Sequence, residues 1–202
     1  MKHSEVQKFI ESSYKKNKEV NEIDGYKLDK NLSTAENKVF HNPATKKTII
    51  ANRGTIGTVR DWSNNAKAVT GQYKSTKRFQ NAKQTQKKAI EKYGKVDKNI
   101  SHSQGAFVGR ELNKKKLTNE HIQVNPASLG SKEKSNVHTI RSDKDIVSVL
   151  HKKDKNTQNI KSNSLNPLTN HKPSILERSK DKLIGSGVLY VDSHSFDLFN
   201  ET

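Results

Sequence analysis

Between Lys74 and Leu150 the chain alternates helical and extended patterns, and that alternation limits the fold more than any other feature. From Lys74 to Tyr93 the residues Phe79, Ala82, Gln86, Ala89, Ile90 and Tyr93 recur at helical spacing, and Gly94 ends the run. An extended stretch around Asn99 to Ser101 follows, then a helical stretch from about Gln104 to Lys114. After these come the runs HIQVNPA, NVHTIRSD and DIVSVL. Strands linked through helices pair in parallel, and the helices cover the sheet. The expected class is α/β, a mostly parallel sheet flanked by helices.

The N-terminal third adds a different element. GYKLDKNLS and NKVFHN read as strand pieces, and NPATKK reads as a tight turn into TIIANRGT, which together predict an N-terminal β-hairpin. Before them, residues 4–19 carry Val6, Phe9, Ile10 and Tyr14 on one helical face, a peripheral helix within residues 1–20. A chain of 202 residues is read as a single domain, 1–202. Residues 151–182, rich in Lys, Asn, Ser and Pro, read as a long irregular loop region, and IGSGVLYVD after it reads as one more strand.

Composition removes several chemistries. Only 30% of residues are apolar, so the core is expected to be thin. Without cysteine there is no disulfide, thiol nucleophile or thiolate metal site. The eight histidines show no ligand spacing with carboxylates, so no metal and no cofactor is expected. The first residues lack the apolar core of a leader and no run is long enough to span a bilayer, which together predict a soluble, intracellular chain.

The net charge of +17 is concentrated in the middle: residues 51–160 hold 23 basic and nine acidic groups, an excess of +14. Such a field draws polyanions, an anionic membrane surface among them. Only six of the 38 basic residues are arginine, the residue that reads bases and phosphates bidentately, which argues against specific nucleic-acid recognition. Lysine, asparagine and isoleucine all have AT-rich codons, so a microbial or viral genome of that bias accounts for much of the lysine. The basic face of the 74–93 segment, Lys77, Arg78, Lys83, Lys87, Lys88 and Lys92, is expected beside the site described next.

That site centres on KNISHSQGAFVG, Lys98 to Gly109. Ser103 falls between the extended and helical stretches, with Ser101 two residues before it and Gly105 two after. A serine on a sharp strand-to-helix turn is held in a strained backbone and needs small neighbours at those two places. The turn also aims the next backbone N–H groups, Gln104 first, at the position where an oxyanion would form.

These residues, taken with others in order, resemble a known family. RGTIGTVRDW (Arg53 to Trp62), SHSQGA, VNPASLG and DIVS follow one another as do the R-G-T loop, D-W pair, nucleophile elbow, N-P pair and acid of the class 3 lipase-like α/β hydrolases. The resemblance covers about residues 40 to 150. It implies an α/β-hydrolase-like fold and a carboxylic ester hydrolase acting on an ester or lipid. Ser103 would be the nucleophile, Asp145 the acid and His171 the base, with Thr55 and the backbone of Gln104 forming the oxyanion hole. Asp143 is the alternative acid, and His151 and His194 are the other histidines after Asp145. His102, which the family also carries, reads as structural; Arg53 and Asp61 are expected to brace the loop, and Trp62 to anchor the core. Where the family has glycine, leucine and glycine, this chain has Ser101, Gln104 and Ala106. At Gln104 the main chain does the work, so its side chain is expected to be free to vary. Two other readings stand beside the hydrolase: an inactive relative serving as a structural or interaction protein, and a basic polyanion-binding module.

Overall fold

Helix α1 (His3–Tyr14) forms because Val6, Phe9 and Ile10 share one face, and all three are buried. The Glu5 carboxylate accepts the Lys2 backbone N–H at 2.8 Å, satisfying one of the donors a helix start leaves open. The structure, a computed structural model, describes residues 1–54, 73–127, 135–142 and 156–160. After α1 come β1 (Glu22–Ile23), β2 (Tyr26–Leu28), β3 (Asn37–Asn42), β4 (Lys47–Asn52), α2 (Lys77–Tyr93), β5 (Lys98–His102), α3 (Gly105–Lys114), β6 (Glu120–Val124), β7 (Val137–Ser142) and β8 (Thr157–Ile160).

The eight strands make one mixed sheet in sequence order. β1 to β4 pair antiparallel, and β4 to β8 pair parallel. Between β3 and β4 the Asn42 carboxamide oxygen accepts the N–H groups of Ala44 and Thr45, both at 3.0 Å, and closes the turn. α2 is capped by Thr76, whose hydroxyl accepts the Phe79 N–H at 3.2 Å, and it stops at Gly94, whose N–H returns to Ile90 O at 2.7 Å.

The parallel strands follow one another without reversal, so crossovers of one hand put their helices on one face of the sheet. The packing bears this out. Ala89 of α2 packs with Val39 and Ile50, while the neighbouring Phe40 and Ile49 point the other way and pack with Val6, Phe9 and Ile10 of α1. The N-terminal helix, read from sequence as peripheral, packs over β3 to β5 on the apolar face, where Phe40, Ile49, Ala51 and Ile100 join one cluster with Ile122, Val124 and Ile140.

The face under α2 and α3 is unusually polar. Asn52, Ser101, Gln123 and Thr139 lie in register across four strands, and Asn99 pairs with His121. Asn37 Nδ2 donates to Asn52 Oδ1 at 2.6 Å, Asn52 Nδ2 to Ser101 Oγ at 3.2 Å, and Gln123 Nε2 to Thr139 Oγ1 at 2.8 Å. β5 therefore alternates, although a central parallel strand is ordinarily apolar on both sides.

His121 is the costly member of this layer. It is fully buried, and neither ring nitrogen has a hydrogen-bond partner among the described residues. Burial, with a smaller contribution from the Arg110 charge, lowers its pKa from 6.5 to about 3. The folded chain thus keeps a neutral imidazole at pH values where the unfolded chain protonates it. Stability from this group is complete above about pH 6.5 and falls on acidification towards 3, by about 1.4 kcal/mol per pH unit. Denaturant titrations between pH 7 and 4 should therefore show a steeper loss for wild type than for His121→Gln; parallel curves would contradict the buried, neutral imidazole.

Candidate functional site

The parallel strands all point their C-terminal ends to one edge, where open α/β sheets place their sites. Here β5 ends at His102 and α3 begins at Gly105, leaving two residues for the turn. Ser103 makes that turn in the left-handed region, with φ at 51°. For a residue other than glycine this conformation costs on the order of 1–3 kcal/mol and persists only where its surroundings enforce it. The enforcing contacts come from the main chain. Ser103 N–H donates to Val124 O at 3.0 Å, and Ser103 O accepts from Ala106 N at 3.0 Å and from Ala127 N at 3.3 Å. Ser103 is 4% exposed.

Gly105 allows the turn. A Cβ there would stand 2.4 Å from Asn52 O and 2.6 Å from Arg53 O, both main-chain atoms at the end of β4. Helix α3 therefore starts in direct contact with the neighbouring strand. Because Asn52 pairs with Ser101, the loop after β4 runs alongside His102 and Ser103. Gly54 sits so close that a Cβ on it would be 2.8 Å from Ser103 Cβ and 2.5 Å from the Tyr14 hydroxyl.

Side chains then fix this loop. Arg53 braces it as expected of a structural arginine, donating from Nε to Ala35 O at 2.9 Å and from Nη1 to Gly54 O at 2.7 Å. The Gly54 N–H donates to Tyr14 Oη at 2.7 Å, and the same hydroxyl lies 2.8 Å from His102 Nδ1. Since the hydroxyl oxygen already accepts from Gly54, its proton can go to Nδ1.

Gln104 differs from expectation. Its side chain is fully buried, and its Oε1 accepts from Nη1 of Arg78, so the position is not free to vary. Arg78 also departs from its reading as part of an exposed basic face. It is fully buried at the start of α2 and donates through Nη2 to Arg53 O and, at 3.4 Å, to Gly54 O. Lys87 and Lys88 are exposed, nine and ten residues further along the helix. At 1.5 Å per residue that is about 15 Å from Arg78, whereas Lys77, also exposed, adjoins it, so the exposed lysines run from the Arg78 end of α2 to the other.

Of the residues singled out by sequence, the structure brings together Ser103, Gln104, His102 and Arg53. Thr55, Asp61, Trp62, Asp143, Asp145, His151, His171 and His194 lie outside the described residues. Sequence reasoning missed Tyr14 and Arg78 as site residues. The available signal for Arg78 was an arginine in the first turn of a helix whose other cations are lysines. A separate concavity of about 370 Å³ between α1 and residues 19–24 is lined by charged groups, including the Lys8–Asp24 pair at 2.8 Å, and contains no residue of this site.

Among the described residues no three His, Asp or Glu side chains are grouped to hold a metal ion, and no helix is long and apolar enough to cross a membrane. No protein-family model matches the chain, and no curated protein matches it.

Gly105→Ala tests the contact on which the turn depends. The added methyl meets two main-chain oxygens that cannot rotate away, so α3 or β4 must shift, at a cost of about 1–3 kcal/mol. This should appear as a lower denaturation midpoint at unchanged slope; an unchanged midpoint would place α3 further from β4.

Proposed function

We propose that the chain is a serine hydrolase of the α/β-hydrolase type that cleaves carboxylic esters through an acyl-enzyme. The observation that carries this reading is Ser103 in a left-handed turn, φ 51°, between a parallel strand and a helix, with the start of the helix behind it. A non-glycine residue held in strain on a sharp strand-to-helix turn at the C-terminal edge of such a sheet is what a nucleophile elbow requires.

In this reading His171 takes the Ser103 hydroxyl proton as Oγ attacks the ester carbonyl carbon. Asp145 remains ionised, holds the imidazole in the required tautomer and stabilises its charged form. The oxyanion rests on the Gln104 N–H, at the helix start, and on Thr55. Collapse of the tetrahedral intermediate expels the alcohol, which takes the proton from His171. Water, deprotonated by the same histidine, then attacks the acyl group and releases the acid. The roles of Thr55, Asp145 and His171 come from the resemblance to class 3 lipase-like hydrolases. Ser103 and Gln104 are supported by geometry as well. An inactive relative serving as an interaction protein is the second reading, and the low exposure of Ser103, 4%, favours it.

A fluorophosphonate probe should label the folded wild-type chain, and Ser103→Ala should abolish labelling. Ser103→Gly should abolish it too while raising stability over Ser103→Ala by about 1 kcal/mol, because only glycine takes a left-handed backbone without strain. Labelling that survives in either variant would remove Ser103 as nucleophile. An unlabelled wild type would favour the inactive relative.

A further inference from the structure

We infer that Tyr14 and Arg78 are positioning residues that hold the Gly54 peptide against Ser103 from opposite faces of the sheet; this rests on the serine-hydrolase reading. Gly54 is fixed at both ends of its polar main chain. Its N–H is bound by the hydroxyl of Tyr14, from α1 on the apolar face, at 2.7 Å. Its carbonyl is bound by Arg53 at 2.7 Å and by Arg78, from α2 on the polar face, at 3.4 Å.

Each of the two residues also reaches the elbow itself. Tyr14 contacts Nδ1 of His102, immediately before Ser103. Arg78 contacts Oε1 of Gln104, immediately after it, and also Arg53 O. Both sides of the turn are thereby tied to the loop that faces it. Burying a guanidinium costs several kcal/mol unless its donors are satisfied, and here Nη1 and Nη2 meet the Gln104 side-chain oxygen and carbonyl oxygens of the loop. A planar fork can bridge acceptors on two segments at once, whereas an ammonium group acts as a single point charge.

Rate depends steeply on such placement, since a misplacement of about 1 Å can lower turnover by about a hundredfold. The clamp should therefore act on kcat, with little effect on substrate affinity. The test uses the full chain with a neutral short-chain p-nitrophenyl ester and a fluorophosphonate probe. Arg78→Met and Tyr14→Phe should each lower kcat and the labelling rate by about tenfold, with KM within about twofold of wild type. Arg78→Lys should recover only part of the Arg78→Met loss. The double variant should lose less than the product of the single losses, because both residues hold one peptide.

Should Arg78→Met fail to fold, Tyr14→Phe and Arg78→Lys decide the matter, since both keep size and most of the packing. Wild-type kcat and labelling in these variants, whatever their stability, overturn the positioning role, as does an effect confined to KM. A wild-type chain that neither labels nor hydrolyses the ester overturns the serine-hydrolase reading, and this role with it; wild-type activity with unaffected variants overturns this role alone.

Discussion

The contact between the first residue of α3 and the last carbonyls of β4 sets the geometry of the rest. Gly105 lies where a Cβ would stand 2.4 Å from Asn52 O, so the helix begins against the sheet edge at a distance only glycine permits. A chain leaving β5 must then reverse direction within His102 to Gly105, and the left-handed Ser103 is the result. The strain is local, while the forces that hold it come from three directions: Val124 of the next strand, Ala127 beyond it, and Ala106 of the helix. Strained residues persist when their surroundings overdetermine them, and Ser103 meets that condition.

Strand order explains how so polar a chain forms a core. Parallel strands that advance in one direction send their crossover helices to a single face, and the remaining face needs cover from elsewhere in the sequence. α1 supplies it, and the apolar residues are concentrated there, with Phe9 edge-on to Phe40 at 5.2 Å. The other face is closed by hydrogen bonds among Asn37, Asn52, Ser101, Gln123 and Thr139. Such a layer discriminates more sharply than an apolar one, because a slip of one residue would leave several buried amides unpaired. With 30% apolar residues the chain fills one face well and makes the second specific through polar pairing.

What was legible in the sequence follows the same division. The α2 period was readable because Phe79, Ala82 and Ala89 are buried at helical spacing, with Gly94 marking the end. The Ser103 turn was readable from small residues at fixed offsets, a steric requirement written directly into residue type. β8 was not. Its Thr157 and Gln158 lie in a polar stretch read as irregular, and the strand is held by main-chain pairing to β7, which leaves little mark on side-chain pattern. β1 is two residues long and escapes any period. Tyr14 and Arg78 were missed as site residues because most of what they bind is main chain: an N–H for Tyr14, carbonyl oxygens for Arg78. No partner residue type in the sequence announces such contacts. Gln104 was misjudged for a different reason: its side-chain partner lies 26 positions away on another helix.

The two cations of this chain divide their work between surface and interior. All four described arginines, Arg53, Arg78, Arg110 and Arg141, are buried, whereas Lys38 is the one buried lysine among the described residues. Lys38 reaches only Asn17 Oδ1 and Thr34 O, and burial lowers its pKa. A guanidinium holds its charge under burial and presents donors in a fixed plane, so it can join segments that no single ammonium group can bridge. Lysine on the surface keeps its stem mobile and its charge hydrated, which suits general attraction to polyanions and not the bidentate reading of a base. Among the described residues the buried arginines thus join segments, while the lysines other than Lys38 stay nearer the surface. Both meet on α2, where the exposed Lys77 adjoins the buried Arg78 and the exposed Lys87 and Lys88 lie further along. A field spread over that lysine surface can raise the local concentration of an anionic partner, but the loop beside Ser103 is held by Arg53, Arg78 and Tyr14 through buried contacts that salt screens weakly.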